Sequence, residues 1–254
     1  MQIGLIGSGN MARGLARGWG RPVLCADIVP ERARALAEET GGDAIASNAE
    51  LARRADVVVL CHKPAQLGDV AAEAAPEAKA IASILGGVPL ERLHEAYPGR
   101  PVYRFLPSTP VEVRRGVVIQ AKAPEQDPGL DARVADLFGE LGLLVPLDEA
   151  LVNVAMGLMS NAPAYVSLVA EAQVDAGVRN GLPADLATDL VLQTLAGTAE
   201  LLKRRGGDTL TVRREVTSPG GSTARGLDAL ERAGIRTAFS DALDAVLQQR
   251  GWSP

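Results

Sequence analysis

The first residues whose spacing could carry chemistry are glycines close to the N-terminus. The run Gly7-Ser8-Gly9-Asn10-Met11-Ala12 has the form G-x-G-x-x-A and follows a short apolar segment, where a strand would end and a helix begin. In this pattern the first glycine allows a tight turn, the second lets the backbone approach a pyrophosphate, and the small last residue lets helix and strand pack closely. Unpaired N–H groups at the helix start favour phosphate oxygens. We therefore expect a dinucleotide to bind at Gly7, Ser8, Gly9, Asn10 and Met11.

An acidic residue after the second apolar segment bears on which dinucleotide binds. Asp27 lies 20 residues after Gly7, where a carboxylate commonly bonds the adenosine ribose hydroxyls. Taken alone, Asp27 favours NAD. Arg32 follows a few residues later and is either a contact for the 2′-phosphate of NADP or an ordinary solvated charge. The sequence therefore predicts NADP or NAD and leaves the preference open.

Three further polar segments have both a structural and a functional interpretation. Ser47-Asn48-Ala49-Glu50 has the composition of a helix cap. Lys63-Pro64 follows an apolar run at the edge where open α/β sheets bind ligands, although a lysine there is equally an ordinary loop charge. His62 is a candidate general acid, but a histidine beside a strand end is more often packed or solvated. His94 lies in an amphipathic segment and is predicted to be structural.

The most unusual segment of the second half is Thr217-Ser218-Pro219-Gly220-Gly221-Ser222-Thr223. Glycines and hydroxyls directly before a helix present backbone N–H donors at the positive end of the helix dipole, which suits a carboxylate. The alternative is a flexible loop that ends in a Ser or Thr cap. Two hydroxyls and a Gly-Gly pair together exceed what a single cap requires. The residues alone leave two interpretations open, a carboxylate site and a capped loop.

The elements that must position these residues divide the chain near residue 148. Before that point, short apolar runs alternate with amphipathic segments, which is typical of a parallel sheet with crossover helices. The predicted strands are 2–6, 23–26, 57–61, 80–84, 102–106, 117–120 and 143–147, and the predicted helices are Asn10–Trp19, Pro30–Thr40, 48–53, 90–97 and 130–141. The fold class is α/β, with a dinucleotide-binding, doubly wound sheet over residues 1–148.

After Asp148 the strand-like runs stop and long segments rich in alanine and leucine follow. Asn180-Gly181 is a good helix stop and Pro183 a good first-turn residue, so residues 149–254 are predicted to be all-helical. Between residues 182 and 205 the apolar positions surround more than one narrow stripe, which predicts burial on several sides, as in a subunit interface.

Composition excludes several other classes of protein. The chain has 254 residues, 47% of them hydrophobic, and a net charge of −5 with both signs interspersed, so we expect neither nucleic acid nor an anionic membrane as a partner. Two cysteines, Cys25 and Cys61, make no disulfide framework and fit a reducing compartment. We found no run near the ~18 apolar residues that a membrane helix needs and no signal peptide, so we expect a cytoplasmic protein.

Several segments in order along the chain resemble the pyrroline-5-carboxylate reductase family. The resemblance covers essentially the whole chain, and its most specific part is the run from Val216 to Thr223; the N-terminal motif is shared by many reductases. The segments are I-G-L-I-G-S-G-N-M, Asp56-Val57-Val58-Val59-Leu60 with Lys63-Pro64, Leu106-Pro107-Ser108-Thr109-Pro110, Asn161-Ala162-Pro163-Ala164-Tyr165, Asp175-Ala176-Gly177 with Gly181-Leu182-Pro183, and Val216-Thr217-Ser218-Pro219-Gly220-Gly221-Ser222-Thr223.

The resemblance implies an NAD(P)H-dependent reduction of 1-pyrroline-5-carboxylate to L-proline, the last step of proline biosynthesis. Asn48 would lie at the adenosine side of the cofactor, and Lys63 and Pro64 at the nicotinamide half. The substrate carboxylate would bind Ser218, Gly220, Gly221, Ser222 and Thr223, and the Thr223 hydroxyl would bond the ring nitrogen as the catalytic contact. The helical part would be a dimerisation domain, giving a homodimer that in some relatives assembles into a ring of dimers.

The sequence departs from the family pattern at two places. Relatives usually have Asn-Thr-Pro at Ser108-Thr109-Pro110, and Ser-Gly-x-Gly-Pro-Ala at Ser160-Asn161-Ala162-Pro163-Ala164. These changes leave the alternative of a divergent reductase of a related cyclic imine. A β-hydroxyacid dehydrogenase is disfavoured because no lysine lies between Asp148 and Leu202. A third alternative is a non-catalytic nucleotide-sensing module.

Overall fold

The computed structural model describes residues 1–248. By its internal contacts the chain forms two compact units, Met1–Pro163 and Ala164–Pro254. The predicted helical region extended to residue 254, and its residues 249–254 lie outside the described part.

The first unit is built on one eight-stranded sheet. Its strands are β1 (Ile3–Ile6), β2 (Leu24–Ala26), β3 (Asp43–Ala44), β4 (Val57–Leu60), β5 (Ile81–Ser83), β6 (Val102–Pro107), β7 (Gly116–Ala121) and β8 (Gly142–Leu147). Their order across the sheet is β3-β2-β1-β4-β5-β6-β7-β8. The chain reverses its direction of travel across the sheet between β1 and β4, so their carboxyl ends mark the crevice where such sheets bind ligands.

Helices cover both faces of this sheet because successive strand residues point to opposite sides. Leu5 and Val59 pack on one face with helices α1 (Asn10–Trp19), α2 (Pro30–Thr40) and α6 (Pro128–Gly139). Ile6 and Val58 pack on the other with α3 (Asn48–Arg54), α4 (Leu67–Ala74), α5 (Leu90–Ala96) and α7 (Glu149–Met159). The predicted α/β class with a doubly wound sheet is confirmed.

Three details of the first unit differ from the prediction. Strand β3 was not predicted, because it is two exposed residues and has no apolar run. Helix α4 was not predicted either. The expectation of a repeated parallel βαβ pattern is wrong at one point, since β7 runs antiparallel to β6. The connection is a short 3-10 helix, Thr109–Val113, followed by Arg114 at φ 55°, and it is too short for a crossover helix.

The second unit is helical throughout its described part. It contains α8 (Ala162–Arg179, beginning two residues before the unit itself), α9 (Ala184–Arg204), α10 (Thr209–Glu215), α11 (Ser222–Arg232) and α12 (Ile235–Gln248). Gly181 has φ 95° between α8 and α9, as expected for the predicted helix stop. The prediction of an all-helical region after Asp148 is confirmed for these residues.

Helix α7 is held in the first unit by its side chains. Val152 is 1% exposed and lies in the core that covers one face of the sheet. Glu149 accepts a hydrogen bond from the Leu90 N–H at 2.8 Å and forms an ion pair with Arg104 at 2.5 Å. A division of the domains at residue 148, as predicted from the sequence, would place α7 with the helices, whereas its contacts lie with the sheet.

One described stretch, Glu149–Arg179, is long and apolar enough to cross a membrane by length and composition, contrary to the expectation from the sequence. Its most apolar window has a mean hydropathy of 1.2 and is 17% buried. The helix is interrupted at Ser160 and Asn161, and Val152 and Met156 are buried. A single stretch of this kind is by itself weak evidence for a membrane span.

Candidate dinucleotide and carboxylate sites

The glycine-rich loop between β1 and α1 lies against the end of β4. Gly7 has φ 98°, and a Cβ there would lie 2.6 Å from the carbonyl carbon of Cys61 and 2.7 Å from the His62 nitrogen. Only glycine fits this conformation and this approach. Gly9 has φ −78°, and a Cβ there would have no atom within 4 Å. Gly7 is therefore required by the fold, whereas the space beside Gly9 is open to a ligand.

The start of α1 offers unpaired backbone donors. The first helical bond runs from the Arg13 N–H to the Gly9 carbonyl at 3.0 Å, which leaves the N–H groups of Asn10, Met11 and Ala12 without helical acceptors. No side chain of the described residues caps this end. The Ser8 hydroxyl is buried and has no hydrogen-bond partner among the described residues. An open Gly9, free N–H groups and an unpaired hydroxyl fit a dinucleotide phosphate.

Asp27 makes contacts that the sequence did not reveal. Its carboxylate accepts hydrogen bonds from the Ser8 N–H at 2.7 Å and from the Val29 N–H at 2.9 Å. The Gly7 N–H donates to the Ala26 carbonyl at 2.8 Å. The glycine-rich loop is thus fastened to the end of β2 at two successive residues. Asp27 fixes this loop in addition to any contact with a ribose.

Asn48 lies in the first turn of α3, after β3. Its side-chain amide donates to Glu73 at 2.9 Å, so its donor group already has a partner. The cap of α3 is the neighbouring Ser47, whose hydroxyl accepts from the Glu50 N–H at 3.1 Å. The cap interpretation of this segment is confirmed, and the role of Asn48 at the adenosine side stays a prediction that rests on its amide oxygen.

His62 and Lys63 follow β4 at the carboxyl edge of the sheet. His62 Nδ1 lies 2.9 Å from the Lys63 carbonyl, which can only accept, so Nδ1 carries the hydrogen. Nε2 is buried and unpartnered within residues 1–248. Burial lowers the pKa of His62, and the bond to the Lys63 carbonyl opposes this shift only in part. A neutral, half-buried His62 does not suit a general acid.

Lys63 itself is exposed, and its ammonium group has no ion pair in the described part of the chain. Its N–H is held by the Gln66 side chain at 3.0 Å in the first turn of the 3-10 helix Pro64–Gln66. The lysine side chain is therefore free to reach a ligand at this edge, and Pro64 lies beside it.

The first departure from the family pattern has a structural explanation. Ser108 is 3% exposed, and its hydroxyl donates to the Val117 carbonyl at 3.2 Å and accepts from the Val117 N–H at 2.9 Å. The side chain therefore joins β6 to β7 and is not directed to open space. Asn161, at the second departure, lies in the break between α7 and α8.

The predicted carboxylate loop forms the start of α11. Gly220 has φ 70°, a conformation that favours glycine, and a Cβ at Gly221 would lie 2.4 Å from the Ser218 hydroxyl oxygen, so the Ser218 side chain lies close against Gly221. The first helical bond runs from the Arg225 N–H to the Gly221 carbonyl at 3.3 Å. This leaves the N–H groups of Ser222 and Thr223 open, and no described side chain caps them. Both side chains are exposed.

Two other side chains shape this loop. The Thr217 hydroxyl donates to the Arg213 carbonyl at 2.6 Å at the end of α10, so it is occupied. Arg225 donates from Nη1 to the Gly220 carbonyl at 2.7 Å and has no ion pair among the described residues. Arg225 therefore fixes the conformation of Gly220 and places a positive charge beside the open N–H groups. Arg225 is not recognisable from the sequence, because nothing in its spacing links it to Gly220.

Family models match both parts of the chain. Residues 149–251 match the family described as pyrroline-5-carboxylate reductase dimerisation. Residues 2–87 match the family described as NADP oxidoreductase, coenzyme F420-dependent. The second match covers the glycine-rich loop and the first five strands, β1 to β5.

The sheet with its glycine-rich loop, followed by a helical unit, defines the class of dinucleotide-binding oxidoreductases. Pyrroline-5-carboxylate reductase from Synechocystis sp. is 34% identical over 98% of this chain and 97% of its own length, and the enzyme from Thermus thermophilus is 34% identical with the same coverage. The chain belongs to the pyrroline-5-carboxylate reductase family.

Solved structures agree with this assignment. The 1-pyrroline-5-carboxylate reductase of Streptococcus pyogenes has a TM-score of 0.89, with 28% identity over 98% of each chain. The pyrroline carboxylate reductase of Plasmodium falciparum, solved with NADP bound, has a TM-score of 0.88, with 28% identity over 98% of this chain and 97% of that one. The resemblance inferred from the sequence is confirmed.

Proposed function

We propose that the protein reduces 1-pyrroline-5-carboxylate to L-proline with NADH or NADPH. The observation that carries this proposal is the open start of α11, where Gly220, Gly221, Ser222 and Thr223 present N–H and hydroxyl donors without an internal acceptor. A carboxylate-bearing substrate suits such a site, and full-length relatives bear this enzyme name. Ser218 and residues 220–223 hold the substrate carboxylate.

The nicotinamide cofactor supplies a hydride to the imine carbon when it is bound. Gly7 to Met11 hold its pyrophosphate, Asp27 and Asn48 lie on the adenosine side, and Lys63 and Pro64 on the nicotinamide side. The imine is most electrophilic when its nitrogen is protonated, so the site needs orientation and a hydrogen-bonding group near nitrogen more than a strong base. The Thr223 hydroxyl fills this role.

Replacement of Thr223 by alanine tests the role of its hydroxyl. Thr223→Ala is expected to lower kcat about 100-fold, within the usual range for a positioned proton-transfer group, and to leave cofactor binding unchanged. Thr40→Ala is the matched control, because the Thr40 hydroxyl bonds the Leu36 carbonyl at the far end of α2. Unchanged turnover in Thr223→Ala would remove Thr223 from the mechanism.

The substrate is tested by following the absorbance of NADH or NADPH with pyrroline-5-carboxylate and, in parallel, with piperideine carboxylate. Oxidation with the five-membered imine supports the proposal, and oxidation with piperideine carboxylate alone favours the divergent reductase. Cofactor binding without oxidation by either imine would instead support a nucleotide-sensing module.

We also propose that the protein is a homodimer, which can assemble further into a ring of dimers. In the described part of the second unit only Ala187 and Val212 are buried, whereas Leu168 is 64% exposed and Leu192 is 54% exposed. An apolar surface of this kind requires a covering partner, and residues 149–251 match a dimerisation family.

We further propose that the protein is cytoplasmic and has neither membrane nor nucleic-acid partners. Cys25 and Cys61 are both free. Burial raises the pKa of the Cys25 thiol to about 12, and burial likewise raises the pKa of the Cys61 thiol. Two protonated, unpaired thiols are compatible with a reducing compartment.

A further inference from the structure

We propose that this protein binds NADH in preference to NADPH and that Asp27 sets this preference. The inference rests on the proposed dinucleotide site and goes beyond it, because the sequence left the coenzyme open and the Plasmodium falciparum relative was solved with NADP. It concerns the turn from Asp27 to Pro30, which joins β2 to α2 at the carboxyl edge of the sheet.

The Asp27 carboxylate is fixed in place. The Ser8 N–H at 2.7 Å and the Val29 N–H at 2.9 Å hold its two oxygens, one from the glycine-rich loop and one from the turn. Each carboxylate oxygen can accept a further hydrogen bond, so the group can still accept from ribose hydroxyls. Asp27 makes no ion pair with any described residue, so no cation neutralises its negative charge.

The other side chains of the turn offer a phosphate neither hydrogen-bond donors nor a cation. Ile28 and Val29 have apolar side chains, and Ile28 is 83% exposed. Pro30 has no N–H group, and the Val29 N–H is already bonded to Asp27. A 2′-phosphate needs several donors or a cation to compensate its charge, and these residues provide neither with their side chains.

The charges in the first turn of α2 do not reverse this preference. Glu31 adds a second carboxylate and pairs with Arg34 at 2.5 Å, so these two side chains offset one another. Arg32 is exposed and has no ion pair among the residues described. Among the side chains of this turn, only that of Arg32 could contact a 2′-phosphate, so the variants include Arg32→Ala.

Equilibrium binding without any imine separates this inference from the proposed reaction. Isothermal titration calorimetry of the full-length protein with NADH and with NADPH is expected to give a dissociation constant at least tenfold lower for NADH, a difference of about 1.4 kcal/mol. Competition by 5′-AMP and by adenosine 2′,5′-bisphosphate should give the same order. Equal or tighter binding of NADPH overturns the inference, even if the protein reduces the imine as proposed.

Variants then assign the preference to a residue. Asp27→Asn is expected to shift the ratio of the two dissociation constants at least fivefold towards NADPH, because it removes the charge at nearly constant volume. Glu31→Gln removes one charge nearby and is expected to change the ratio less than twofold.

Arg32→Ala is expected to leave NADPH binding unchanged. A tenfold selective loss of NADPH binding in Arg32→Ala would assign the site to a 2′-phosphate and refute the role of Asp27. If Asp27→Asn does not fold, because Asp27 also holds the Ser8 N–H, the wild-type titrations still decide whether NADH is preferred, and Arg32→Ala decides whether Arg32 holds a 2′-phosphate.

Discussion

Two glycines of the same loop are expected to respond in opposite ways to alanine. At Gly7, φ 98° is a conformation that costs an L-residue about 1–2 kcal/mol. The added Cβ would also lie 2.6 Å from the Cys61 carbonyl carbon, and relief of such an overlap costs about 1–3 kcal/mol more. We therefore expect Gly7→Ala to lower the free energy of unfolding by about 2–5 kcal/mol, a large part of the stability of an ordinary domain.

At Gly9 the same change leaves the fold almost unaffected. The residue has φ −78° and an open Cβ position. Alanine is a poorer N-cap than glycine, but it also reduces the entropy of the unfolded chain, so the net change should stay within about 0.5 kcal/mol. The added methyl group would occupy the space proposed for the pyrophosphate. We expect Gly9→Ala to weaken cofactor binding at least tenfold, or about 1.4 kcal/mol.

Urea denaturation of the cofactor-free protein, followed by circular dichroism, measures the first effect, and calorimetric titration with NADH measures the second. Gly139→Ala in α6 is the matched control, since a Cβ at Gly139 also meets no atom within 4 Å. Wild-type affinity in Gly9→Ala would refute the pyrophosphate site. Equal stability of Gly7→Ala and Gly9→Ala would refute the close approach of the loop to β4.

Three other expectations concern buried and site-forming charges. Glu149→Ala should lower the free energy of unfolding by about 2–3 kcal/mol. This is less than for a fully buried pair, because the Arg104 side chain is 8% exposed and that of Glu149 is 33% exposed. Adding Arg104→Met should recover most of the loss, and unchanged stability in Glu149→Ala would contradict the argument. Folding depresses the pKa of His62, so below the ordinary value of 6.5 the unfolded chain binds the proton first and stability falls. His62→Gln should reduce this acid loss in urea titrations, and an acid loss unchanged by this substitution would contradict the assignment. Arg225→Met should raise KM for the imine about two- to tenfold, the value of one hydrogen bond, with unchanged cofactor affinity; an unchanged KM would show that Arg225 does not shape the loop.

The sequence predicted the elements with strong local signals. The strands of a sheet that is covered on both faces are continuous apolar runs, so β1 and β4 could be placed within a residue or two of their bounds. Strand β3 could not, because Asp43 and Ala44 are exposed and their pairing with β2 is a tertiary property. The direction of β7 depends on the short connection after β6, which the composition of the strand does not encode.

The candidate site was predictable where backbone conformation dictates the residue type. A positive φ selects glycine, as at Gly7 and Gly220, and the glycines made both loops recognisable in the sequence. The bonds of Asp27 to Ser8 and of Ser108 to Val117 left no such signal, since only the fold brings these residues near one another. Ser108 was noted as a departure from the family, but its bonds to Val117 became visible only in the structure.

The attachment of α7 to the sheet determines where the nucleotide-binding part can be cut from the rest. A fragment that ends at residue 148 would remove Val152 from the core and leave the guanidinium of Arg104 buried without its carboxylate. A fragment that ends at Pro163 keeps both contacts. Only the longer fragment should fold alone and bind dinucleotides, and coenzyme recognition could then be studied on it apart from catalysis.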